Sequence, residues 1–129
     1  MARDNSVHAL HILKDCNKYN GMPGGSCIVR ASNVPEIPTG SVVYYTQAFG
    51  ILNLAWLDSN IVIDAGNGNK AVGRCTVDFS SSVPGICTLN DGIGTLAGFT
   101  ARVEVGTSPL SSADKTYPWD GWYAFNREP

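Results

Sequence analysis

From residue 26 onward the chain is a succession of short runs in which apolar and β-branched residues alternate with polar ones, separated by clusters of Gly, Pro, Asn, Asp and Ser. This spacing predicts half-buried antiparallel strands. The candidate strands are Ser26–Ser32, Ser41–Phe49, Ile51–Asp58, Asn60–Asp64, Ala71–Ser80, Gly85–Asn90, Gly94–Gly106 and Tyr117–Asn126. Between them, Asp58-Ser59-Asn60, Ala65-Gly66-Asn67-Gly68-Asn69, Val83-Pro84-Gly85 and Asn90-Asp91-Gly92 supply residues that tolerate a left-handed backbone or fix φ, and so read as turns. Thr107–Thr116, rich in Ser and Asp, reads as a loop. The first 25 residues look different: VHALHILKD carries a helical hint that Gly/Pro-rich punctuation stops. The expected organisation is an N-terminal arm over 1–25, a short helix plus loop, and a barrel domain over 26–129. Eight short strands with short links predict an all-β, eight-stranded antiparallel up-and-down barrel, because closure removes exposed edges. A sandwich of the same strand count is the alternative.

Strand phase assigns faces. In the last strand, alternation puts Tyr117, Trp119, Tyr123 and Phe125 on one side and Asp120 and Trp122 on the other. In GTLAGFTARVEV it separates Phe99, Ala101, Val103 and Val105 from Thr100, Arg102 and Glu104. Such alternating charges ordinarily mark a solvated face. An apolar outer face packed on an oligomer partner would instead turn Arg102 and Glu104 inward, where a carboxylate beside a guanidinium can act as a general base. Arg30 and Asp78 raise the same question.

Composition narrows the class. At 129 residues the chain fits one domain. Charged residues make up 16%, below the roughly 25% of typical soluble domains, and 14 glycines reinforce a strand-and-turn protein over a helical one. A net charge of −2 gives no electrostatic footprint for a nucleic acid, and no apolar run approaches the ~20 residues of a membrane-spanning helix.

Cys75 and Cys87 are equidistant from Ser81, so a turn centred on Ser80-Ser81-Ser82 would oppose them on antiparallel strands; Cys16 and Cys27 enclose the flexible loop NKYNGMPGGS. Two disulfides are therefore expected, Cys16–Cys27 and Cys75–Cys87, with a metal site disfavoured by the lack of CxxC pairs or His partners. Disulfides place the protein in an oxidising compartment, secreted or periplasmic, with the signal peptide absent from this chain.

The inventory also excludes chemistry. The two histidines, His8 and His11, lie in the arm, away from any nucleophile device. Gly66-Asn67-Gly68-Asn69-Lys70 fails the phosphate-loop pattern and reads as a hairpin turn. What remains is an interior lined by aromatic rings, which in an eight-stranded barrel is just wide enough for one small ligand.

The stretch from Cys75 to Phe125 resembles the secreted bacterial branch of the allene oxide cyclase and dirigent barrel superfamily. The resemblance rests on Asp91, Gly92, Gly94, Leu96, Gly98 and Phe99, then Trp119, Asp120, Gly121 and Tyr123. It implies an eight-stranded barrel, a homodimer or homotrimer, holding a small hydrophobic molecule and steering its cyclisation or isomerisation by positioning, with no cofactor and no metal. The chain lacks a counterpart to the polar catalytic set of the plant enzymes. On the cyclase reading, Glu104, Arg102 and Asp78 are the acid/base candidates and Tyr44, Trp56, Trp119 and Tyr123 the ligand-binding walls. The alternative is a non-catalytic interaction module with a filled barrel and functional loops.

Overall fold

A computed structural model describes residues 6–16, 25–46, 56–78, 85–105 and 116–126, the side chain of Trp56 excepted. It contains β1 (His8–Asp15), β2 (Gly25–Ser32), β3 (Val42–Tyr45), β4 (Trp56–Asp64), β5 (Lys70–Asp78), β6 (Gly85–Ile93), β7 (Phe99–Val105) and β8 (Thr116–Phe125), with one 3-10 turn at Gly94–Leu96. Each strand pairs antiparallel with the next and β8 pairs back onto β1, closing an up-and-down barrel. The sandwich alternative is thereby excluded.

The strand count matches the expectation through compensating differences. The expected helix of the arm is β1, which closes the barrel between β2 and β8, so a boundary at residue 25 cuts through the fold. The reason is visible in its burial: Leu10, Ile12, Lys14 and Cys16 face inward at period two, and the lysine in that series obscures the pattern. Conversely, Ile51–Asp58 and Asn60–Asp64 do not form separate strands, because β4 runs unbroken through Asp58-Ser59-Asn60. Cross-strand bonding replaces the expected turn there. Arg74 bridges Asp58 at 2.6 Å and donates to Asn60 Oδ1 at 2.8 Å, while Ser59 is fully buried.

Asn90-Asp91-Gly92 is likewise not a turn. It lies in β6, where the register against β5 shifts between Val72 and Gly73 and leaves Asn90 as the extra residue of a bulge. A Cβ on Gly73 would collide with the Thr88 carbonyl of β6, so glycine permits this close approach. The expected turn at Ala65–Asn69 is present. Gly66, Asn67 and Gly68 all take positive φ, and Asn69 N donates to Gly66 O at 3.0 Å. The expected turn over Ser80–Ser82 and loop residues 107–115 lie outside the described residues, and Thr116 already belongs to β8.

The two ends of the barrel differ. The links 33–41, 65–69 and 94–98 gather at the end where β1 starts and β8 finishes. There Val34, Ile37 and Leu96 fold into the core beside Phe99, Tyr123 and Phe125. The other four links leave the opposite end, close to both disulfides, Cys16–Cys27 and Cys75–Cys87, which form as expected. Their sulfurs are buried inside the barrel, and Cys75 stands directly opposite Cys87 across β5 and β6. None of the described residues forms a helix long and apolar enough to cross a membrane, a statement about helices alone.

Each disulfide closes a short chain loop, so the Cys75→Ser/Cys87→Ser double variant is expected to lose about 2–5 kcal/mol of unfolding free energy in chemical denaturation. An unchanged midpoint would show that cross-strand pairing of β5 and β6 suffices without the bond.

Candidate functional site

Inside a closed barrel every inward side chain is cut off from water, so a polar one needs partners. The inward face of β1 places such a side chain in the half of the barrel that also holds the two disulfides. Lys14 is 2% exposed, one residue from the end of β1, and the register of β1 on β2 shifts beside it, leaving Arg30 as the extra residue of a second bulge. Its Nζ donates to the Tyr45 hydroxyl at 2.9 Å. It also lies 4.4 Å from the centre of the Trp119 ring and 5.6 Å from that of Tyr45, within range for a cation over an aromatic face. Tyr117 stands opposite Lys14 in the β1 and β8 register.

No carboxylate among the described residues compensates this amine, and burial alone pulls its pKa from 10.5 down to about 7. Burial acts in the opposite sense on the Tyr117 phenol, raising its pKa and keeping it protonated. Next to the amine, the fully buried indole Nε1 of Trp119 has no acceptor among the described residues. The site therefore presents one amine able to exist neutral or charged near neutral pH, one hydroxyl bonded to it, and one N–H donor that no described residue accepts, set among apolar walls. Because all three groups stand on strands of a closed sheet, their spacing is fixed by the fold. An acceptor atom such as a carbonyl or carboxylate oxygen is what the indole N–H lacks among the described residues.

The residues singled out from sequence scatter around this centre. Trp119 belongs to it. Tyr123 is buried at the opposite end, packed against Phe99 at 5.9 Å between ring centres. Tyr44 faces outward, and the side chain of Trp56 lies outside the described residues. Arg102 and Glu104 are exposed, out of phase with buried Ala101, Val103 and Val105, so the inward orientation weighed for them is not the one adopted. Asp78 is half-buried at the end of β5. The outer face carries polar groups of its own, including His11 Nδ1 with Asp120 Oδ1 at 2.8 Å, but that pair is exposed on both sides and contributes little. An outer groove of 530 Å³ spans β4, β5 and β6 between Asn60, Val62, Val72 and Arg74. Among the described residues no three His, Cys, Asp or Glu side chains gather as metal ligands.

Sequence reasoning missed Lys14 and Tyr45. The available signal was phase: Lys14 shares its face with Leu10, Ile12 and the cystine half Cys16. Set against family models, curated proteins and solved structures, the chain matches none.

Lys14 binds fewer protons in the folded than in the unfolded chain between about pH 7 and 10.5. Stability in that window therefore rises with pH, by up to about 1.4 kcal/mol per unit, and the penalty of burying the lysine is fully present below it. Lys14→Met should accordingly raise the denaturation midpoint at pH 6 and lose that advantage toward pH 10. A pH-independent difference between the two proteins would mean that the amine keeps its ordinary pKa.

Proposed function

We propose that this protein is an exported barrel that binds a small, largely apolar molecule carrying a hydrogen-bond acceptor, a carbonyl or a carboxylate, at the Lys14 end of its interior. The observation that carries this reading is the pairing of a buried amine and a buried indole N–H for which the described residues offer neither a carboxylate nor an acceptor. Buried donors of this kind are costly unless something completes them. The apolar surroundings, Trp119 and Tyr45 included, favour the hydrocarbon part of such a molecule, and barrel mouths are common ligand sites.

Two internal disulfides and an oxidising compartment fit each other, which supports export. The resemblance to the allene oxide cyclase and dirigent barrels adds a mode of action: the barrel holds a reactive molecule in one conformation and so steers its cyclisation or isomerisation without a cofactor. In that role Lys14 and Tyr45 replace Glu104 and Arg102 as the groups able to move a proton inside the barrel. Self-association into a dimer or trimer is supported by an outward apolar stripe of exposed Tyr44 and Val72 on either side of half-buried Val62, which stand in consecutive register on β3, β4 and β5.

The second reading, a filled barrel with function in its loops, draws on the packing of Val34, Ile37 and Leu96 into one end. Native mass spectrometry separates the two. Wild type is expected to hold an apolar carboxylate such as cinnamate roughly tenfold more tightly than Lys14→Met does, while the matching hydrocarbon is held equally by both. Absence of any retained molecule, together with failure to take up apolar dyes, would favour the filled barrel.

A further inference from the structure

Resting on the reading of this interior as a ligand site, we infer that Lys14 captures small apolar aldehydes covalently, as a Schiff base, with Tyr45 relaying the protons. Four features of the geometry meet the needs of that reaction. The nucleophile must be a neutral amine, and Lys14 stands buried with no carboxylate among the described residues to hold it as an ammonium. Its amine, brought down to about 7, supplies the neutral form at ordinary pH. A proton donor and acceptor must reach both the nitrogen and the carbonyl oxygen bound to the same carbon, and the Tyr45 hydroxyl is 2.9 Å from Nζ. The product, once protonated, is an iminium cation, and the Trp119 ring face 4.4 Å from Nζ suits a delocalised cation in an apolar setting. Finally, the indole N–H, which has no acceptor among the described residues, can hold a carbonyl or hydroxyl oxygen as it develops.

The step balances without any oxidant or reductant. The Nζ lone pair forms the bond to the carbonyl carbon while the C=O π pair moves to oxygen. Tyr45 gives its proton to that oxygen and takes one from nitrogen, leaving a neutral carbinolamine. The second N–H proton follows the same route, the C–O bond breaks, and water leaves with both protons, so amine plus aldehyde yields imine plus one water.

Reductive trapping tests the inference on the intact, disulfide-bonded protein. It is incubated with cinnamaldehyde and cyanoborohydride at pH 7, and the modified residue is located by peptide mass mapping. The expected result is alkylation at Lys14 at least about tenfold faster than at Lys18, Lys70 or Lys115, because the buried Lys14 amine supplies the neutral nucleophile at that pH. Without reductant, a red-shifted iminium absorption should appear in wild type and vanish in Lys14→Arg. Retention of cinnamate with no adduct at Lys14 would overturn the imine inference and leave the binding reading standing. Adducts confined to the other lysines, with no cinnamate retained, would overturn both.

Discussion

Every other feature of this molecule depends on the pairing of β1 with two partners at once. Without β1, the rows of N–H and C=O groups along β2 and β8 would be open edges, the usual starting point for association between chains. With β1 in place the sheet returns on itself and those rows are satisfied within one chain. Closure also divides the side chains into an inside and an outside with no intermediate choice. Leu10 and Ile12 gain the interior by that division, and Lys14, on the same phase, is carried in with them.

The lysine is thus the residue at which folding and function pull in different directions. A hydrophobic side chain at position 14 would pack there with no desolvation penalty. The chain instead keeps an amine, bonds it to Tyr45 and faces it with Trp119. The placement is deliberate in its supports as well: a bulge in β2 adjoins it, and the Cys16–Cys27 bond ties β1 to β2 beyond it. The opposite half of the barrel shows no such compromise. Phe99, Tyr123 and Phe125 pack ring against ring there, and the β2 to β3 link contributes Val34 and Ile37.

Much of the fold was legible in the chain and much of the site was not, for physical reasons that particular residues make plain. The phase of β7 and β8 and the hairpin turn over Gly66–Gly68 could be read directly, because there local chemistry and tertiary structure agree. The symmetry of Cys75 and Cys87 pointed to their bond in the same way. Asp58-Ser59-Asn60 was misleading because the stabilising partners, Arg74 and Thr76, lie on another strand. β1 was misleading because a charged residue occupies an inward position. The same exception hid the site: Arg102 and Glu104 draw attention as a pair in sequence, yet they face solvent, whereas Lys14 and Tyr45 are 31 residues apart and meet only once the barrel has closed.

Lys14 is an amine buried inside the barrel with no compensating carboxylate among the described residues, and titration of that one side chain is the decisive measurement. Carbon-detected NMR of protein labelled at lysine Cε, with Lys14→Arg to assign the resonance, reads its protonation against pH. A midpoint close to 7 is expected, well below the 10.5 of an ordinary lysine. A midpoint near 10.5 would contradict it, placing the amine in water or beside a carboxylate and removing the physical basis for a ligand site at Lys14.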